Sequence, residues 1–114
     1  MPNPVVHFEV VGRDGPALQR FYADVFDWKV DASNPMGYGT VDNGGEGING
    51  GIGATSDGDG HVTFYVAVPD LEETLATIER AGGERVMGPE EIPGVVTLAL
   101  FRDPEGHLIG LVKN

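Results

Sequence analysis

The sequence predicts an α+β fold made of two tandem βαβββ units, and three observations carry that reading. At Val5–Trp28 a strand with period-two alternation runs straight into a helix with apolar residues at helical spacing. The same pattern returns at His61–Gly83, shifted by 56 positions, so that Val6 meets Val62, Phe8 meets Phe64, Val10 meets Val66 and Asp14 meets Asp70. Each copy is then followed by runs suited to three short strands. Two copies are too few for a solenoid, so the reading is one domain of paired modules, at about 5–54 and 61–113.

In the first unit Val6, Phe8 and Val10 share one strand face, with His7 and Glu9 on the other. Arg13-Asp14-Gly15-Pro16 breaks the strand and starts a helix, with Asp14 as cap and Pro16 in the first turn. Leu18, Phe21, Tyr22, Val25 and Phe26 recur at i, i+3, i+4, i+7 and i+8, which predicts a buried stripe. That spacing assigns Phe21, Tyr22, Phe26 and Trp28 to core packing rather than to a stacking platform. Lys29–Ala32 and Tyr38–Val41 read as short strands around a turn at Asn34-Pro35-Met36-Gly37. In Asp42–Gly60, 8 of 19 residues are glycine. A continuous loop of that length is unusual, so Ile48–Ala54 is read as a glycine-rich strand and Thr55–Gly60 as the linker.

The second unit has clearer punctuation. Asp70-Leu71-Glu72-Glu73 forms a capping box with an acidic first turn. Leu71, Leu75 and Ile78 supply the buried stripe, and Gly82-Gly83 ends the helix. Glu84–Met87 is read as a short strand, Gly88–Gly94 as a loop, and Val95–Arg102 as an alternating strand. Asp103-Pro104-Glu105-Gly106 turns into a last strand at His107–Lys113.

Composition narrows the function. The 114 residues carry 18 acids against 7 bases, a net charge of −11, with no basic cluster; nucleic acid needs the opposite footprint. No apolar run reaches a membrane span, and MPNPVVHF lacks a signal-peptide core, so a cytoplasmic protein without membrane partners is expected. With no cysteine, disulfides, thiolate catalysis and cysteine-ligated zinc are excluded. Gly45-Glu46-Gly47-Ile48-Asn49-Gly50 matches a dinucleotide-binding pattern, but more glycine follows where a helix is needed, and Glu46 repels phosphate.

The doubled unit carries further cues: His7 on the first strand, Asp14 followed by Phe21-Tyr22, Val66-x-Val68-x-Asp70 with Gly82-Gly83, and above all Phe101-x-Asp103-Pro104-x-Gly106-His107. In this order they resemble the vicinal oxygen chelate superfamily, also called glyoxalase/bleomycin resistance/dioxygenase. The resemblance covers nearly the whole chain. It implies a curled mixed sheet with an internal pocket, and commonly a homodimer.

Metal-dependent members of that superfamily place one ligand on each of four strands. Carried over by position, these fall on His7, Thr63, Gly110 and, within a residue or two, Gly51. Only His7 keeps a good donor, whereas a divalent ion needs three or four. Glu9, Glu46, Asn49, His61 and His107 are the nearby alternatives for a displaced site. No metal and no cofactor are therefore expected. The resemblance then implies metal-independent binding of a small, mostly apolar or aromatic molecule, with a divalent-metal lyase, isomerase or dioxygenase as the rival and a ligand-free dimerisation module as a third reading. The expected ligand-binding residues are His7, Glu9, Thr63, Tyr65 and Phe101, with Tyr38 at the pocket mouth; catalytic residues stay unassigned.

Overall fold

The computed structural model describes residues 2–56 and 58–114. Its element order is β1 (Val5–Gly12), α1 (Gly15–Phe26), β2 (Lys29–Asp31), β3 (Gly39–Asp42), β4 (Gly50–Ala54), β5 (His61–Val68), α2 (Leu71–Arg80), β6 (Glu84–Ile92), β7 (Val96–Arg102) and β8 (Leu108–Lys113). This is the α+β, twice-βαβββ order that the sequence predicts, and β5 begins and ends 56 positions after β1. The chain forms two compact units, His7–Thr63, and Met1–Val6 with Phe64–Asn114. The boundaries cut inside β1 and β5, so the N-terminal residues belong with the later half: the Ala67 amide donates to the Pro4 carbonyl at 2.9 Å. Part of the linker at Thr55–Gly60 lies outside the described residues.

In the His7–Thr63 unit the strands run β2-β3-β4-β1. β4 pairs parallel with β1, Phe8 opposite Gly50 and Glu9 opposite Gly51, and β3 pairs antiparallel with β4, Thr40 opposite Gly51. Asp14 caps α1 by accepting the Ala17 amide at 3.0 Å. The helix ends at Asp27, whose φ of 60° is left-handed, a conformation short polar side chains tolerate. The expected buried stripe needs correction. Phe21 is 55% and Phe26 54% exposed, and Val25 is equally open. Trp28 instead stacks on Tyr22, with ring centroids 5.7 Å apart, and tilts against Phe26 and Phe8. The aromatic residues form a half-open cluster around Trp28, and the buried apolar side chains of this unit include Val41 and Ile52.

The second unit runs β5-β8-β7-β6 and holds a more closed core. Val68, Leu71, Leu75, Ala99 and Leu111 are buried together, with Val66, Ile78 and Phe101 packed against them. Asp70 caps α2 through the Glu73 amide at 3.0 Å. The helix closes where Gly83 donates to the Ile78 carbonyl at 2.9 Å, after Gly82 with φ 101°. Strand β6 runs on to Ile92 where a loop was expected from Gly88. It stays paired to β7 through two register shifts, so a bulged strand replaces the loop. Asp103 organises the turn before β8, accepting the Glu105 and His107 amides at 3.0 Å each.

Candidate functional site

Strand β4, Gly50–Ala54, has side chains that stop at hydrogen on three of its first four positions, and the structure shows what each glycine admits. A Cβ on Gly50 would lie 2.5 Å from the Phe8 ring. On the opposite face, a Cβ on Gly51 would lie 1.7 Å from the Tyr38 hydroxyl oxygen, and one on Gly53 would touch the same ring at 3.0 Å. The strand is glycine-rich because rings lie flat across both of its faces.

Tyr38 is delivered there by a stapled turn. The Asn34 side-chain amide donates to the Tyr38 carbonyl at 2.6 Å, and its oxygen accepts the Met36 and Tyr38 amides at 3.2 and 3.0 Å. From α1, the Gln19 side-chain amide donates to the carbonyls of Gly37, at 3.0 Å, and Ile52, at 2.8 Å. Helix, turn and strand are thereby fixed to one another around the ring.

The hydroxyl so placed joins three polar groups. Tyr38 donates to Glu9 Oε2 at 2.9 Å, and His7 Nε2 lies 3.0 Å from the same hydroxyl. A phenol has one proton to give; with that proton on Glu9, His7 must bring the Nε2–H tautomer and donate to the phenolic oxygen. The other Glu9 oxygen faces His61 Nε2 at 3.5 Å. Burial depresses the basicity of His7 below the ordinary imidazole value, and the opposing charge of Glu9 does not fully offset it. The result is an ordered chain His7–Tyr38–Glu9, with His7 held neutral at physiological pH.

His7 also lines a groove of about 540 Å³ in the same unit. The strand pairings put Lys29, Asp31, Thr40 and Asp42 on the face that carries Glu9, and Asn49 lies beside them at the start of β4. Asp31 stays well ionised because Ser33 donates to it from its hydroxyl and amide. Val30, Val41 and Gly50 complete the lining, so the groove offers charged and hydroxyl groups beside apolar wall.

The expected site residues separate into groups. His7, Glu9 and Tyr38 are brought together; Tyr38 is an internal partner of both rather than a residue at a mouth. Thr63 is buried in the same unit at 4% exposure, and Tyr65 is buried in the other at 7%. Phe101 requires correction. In β7 it sits next to Leu100, which pairs with Gly110 on the Tyr65 face, so Phe101 points the other way and packs against the core beneath α2. His107 pairs with Asp103 at 2.9 Å in its turn. Gln19, Asn34 and the groove-lining Lys29, Asp31, Thr40 and Asp42 were not singled out from sequence; their roles depend on strand register and on one side chain's reach.

The positions matching the superfamily's metal ligands do not fit a divalent ion. At Gly51 the direction a ligand side chain would take is filled by the Tyr38 hydroxyl. At Gly110, in the other unit, a Cβ would lie 2.2 Å from the Tyr65 ring. Thr63 offers one weak hydroxyl donor. Among the described residues, no group of three or more His, Asp or Glu side chains could hold a metal.

A family model for a glyoxalase-like domain matches residues 7–112. The chain therefore belongs to the glyoxalase-like domain family, within the glyoxalase/bleomycin resistance/dioxygenase superfamily. Its fold is similar to that of a superfamily member from Vibrio splendidus 12B01, with TM-score 0.69 and 20% identity over 99% of this chain and 100% of that one. It is also similar to methylmalonyl-CoA epimerase from Mycobacterium tuberculosis, with TM-score 0.69 and 14% identity over 96% and 86% of the two chains. At these identities the likeness is one of fold. In sequence, 53 residues are 36% identical to CFP32 of Mycobacterium tuberculosis, a protein with the provisional name of glyoxylase; the match covers 46% of this chain and 20% of that protein. The chain thus spans a small part of the relative it matches. Among the described residues, no helix is long and apolar enough to cross a membrane.

Proposed function

We propose that this domain binds a small polar molecule in the groove beside His7, and that it does so without a metal ion. The observation that carries the reading is the His7–Tyr38–Glu9 chain at the edge of that groove. Binding sites gain specificity from a few polar groups whose orientation is already set. Here the imidazole tautomer is set by Tyr38, the tyrosine by Glu9, and the whole turn by Asn34 and Gln19. A ligand entering the groove meets a neutral imidazole, the Thr40 hydroxyl, the Asn49 amide and charges of both signs at Lys29, Asp31 and Asp42. Those groups, with Val30 and Val41 completing the lining, favour a compact molecule that carries hydrogen-bonding groups.

The test is a fragment titration followed by amide and imidazole NMR shifts, using metal-stripped protein in chelator. The reading expects perturbations centred on His7, Thr40 and Asn49, and their loss in His7→Ala. Fragments that gather elsewhere, or bind only after a divalent metal is added, would overturn it.

A further inference from the structure

We infer that the Tyr38 hydroxyl stands in this chain where a metal ion would otherwise meet His7, and that its ring is what keeps a ligand off β4. The inference rests on the metal-independent reading above and adds its cause. Two observations converge on one atom. The phenolic oxygen is the partner of His7 Nε2 at 3.0 Å, and the same oxygen lies 1.7 Å from where a Gly51 side chain would begin. The single retained donor is therefore already occupied, and the neighbouring ligand position is closed, by one residue. Glycine at position 51 is a requirement of Tyr38, because any larger residue must first displace the hydroxyl.

With the ring gone, an acid supplied at position 51 would complete a donor set with His7 and Glu9. Glu9 is directly opposite Gly51 in the β1–β4 pairing, so an acid placed at 51 would share its face, with His7 one pleat further along. One imidazole and two carboxylates then converge, a donor set that divalent ions accept. His61 lies behind Glu9, and the other charged groups on this face are Lys29, Asp31 and Asp42.

The experiment is Zn²⁺ titration by calorimetry on wild type, Gly51→Glu, and Tyr38→Ala/Gly51→Glu, with folding checked by amide spectra. The double variant should bind one Zn²⁺ per chain at least about tenfold more tightly than Gly51→Glu alone, the scale on which a supporting residue alters metal affinity. Equal binding by the two variants, or none by the double variant, overturns the inference while leaving the metal-free wild type intact. Stoichiometric Zn²⁺ on wild type overturns both readings. Tyr38→Ser/Gly51→Asp, with shorter side chains, serves as a second pair if the first misfolds. Independently of metal, the His7 Nε2 resonance should move in Tyr38→Phe; an unmoved signal contradicts the proposed contact.

Discussion

The two halves meet the same problem, an empty glycine face, with different chemistry. In the first, Gly51 is covered by Tyr38, a ring brought in from a turn, whose hydroxyl is tied to His7 and Glu9. In the second, Gly110 is covered by Tyr65, a ring anchored on the adjacent strand β5 and almost fully buried. The 56-position repeat makes the exchange explicit, since His7 corresponds to Thr63 and Glu9 to Tyr65. The first half keeps titratable groups beside a groove, whereas the second replaces them with packing. The two equivalent faces thus carry different side chains, a hydrogen-bonded polar chain on one and a packed ring on the other.

The largest effect should come from testing that division at the glycines. The atoms nearest a Gly110 Cβ include the base of the Tyr65 ring, which cannot swing away from its strand. Gly110→Ala should cost about 3 kcal/mol, the upper range for overpacking a filled site. At Gly51 the nearest atoms are the hydroxyl end of the Tyr38 ring, which can swing off the strand while its backbone stays in the turn, so Gly51→Ala should cost about 1–2 kcal/mol and break the His7 contact. Urea unfolding of both variants checks the order. If Gly51→Ala proved the more damaging, Tyr38 would have to be as fixed as Tyr65 and the contrast would collapse.

Phe101 sharpens the same contrast from the packing side. Partly buried against the α2 core, its change to Ala should cost about 2–3 kcal/mol, somewhat below the usual range for a buried phenylalanine. Fragment shifts at His7 should be unchanged, and a variant that loses groove binding while keeping its stability would put Phe101 back in the site. Tyr38→Phe is the milder counterpart. Losing one hydroxyl between Glu9 and His7 should cost about 1 kcal/mol, seen as a lower unfolding midpoint with an unchanged slope.

The smallest effect is one of pH. His7 has its folded value depressed by burial, so the unfolded chain takes up the proton first as acid is added. Its contribution is fully present above the ordinary imidazole value of 6.5 and is lost as pH falls through the folded value. Stability of wild type minus that of His7→Gln, measured from about pH 8 down to about pH 5, should therefore decline toward acid. Glu72, held low by the Arg85 guanidinium, and Asp103, held low by the His107 amide, titrate in both proteins and drop out of the difference. A difference that stays flat or grows in acid would mean that His7 is not desolvated.

Much of this was legible in the sequence, for reasons that differ by element. Strand alternation, the Asp14 and Asp70 caps and the Asp103 turn are local signals, and each marks the element it was read to mark. The faces of His7 and Glu9 followed from the same alternation. Phe101 was misplaced because it lies on a strand whose neighbours on both faces are apolar, so phase alone could not choose a side. The exposure of Phe21 and Phe26 was hidden because helical spacing reports a stripe, not what covers it. The Tyr38 contact is non-local: glycine at 51 and a tyrosine 13 positions earlier announce nothing to each other until β3 and β4 are aligned.

The claim that the His7 face works without metal is tested most directly on unmodified protein. Metal content after dialysis without chelator should be compared with melting temperatures in the presence of Zn²⁺, Ni²⁺, Mn²⁺ and Fe²⁺. A specific site at one hundred times its Kd would stabilise the fold by about 2.7 kcal/mol. The account predicts far less than one metal per chain and no stabilisation with any of the four ions; near-stoichiometric metal, with a stabilisation that disappears in His7→Ala, would contradict it.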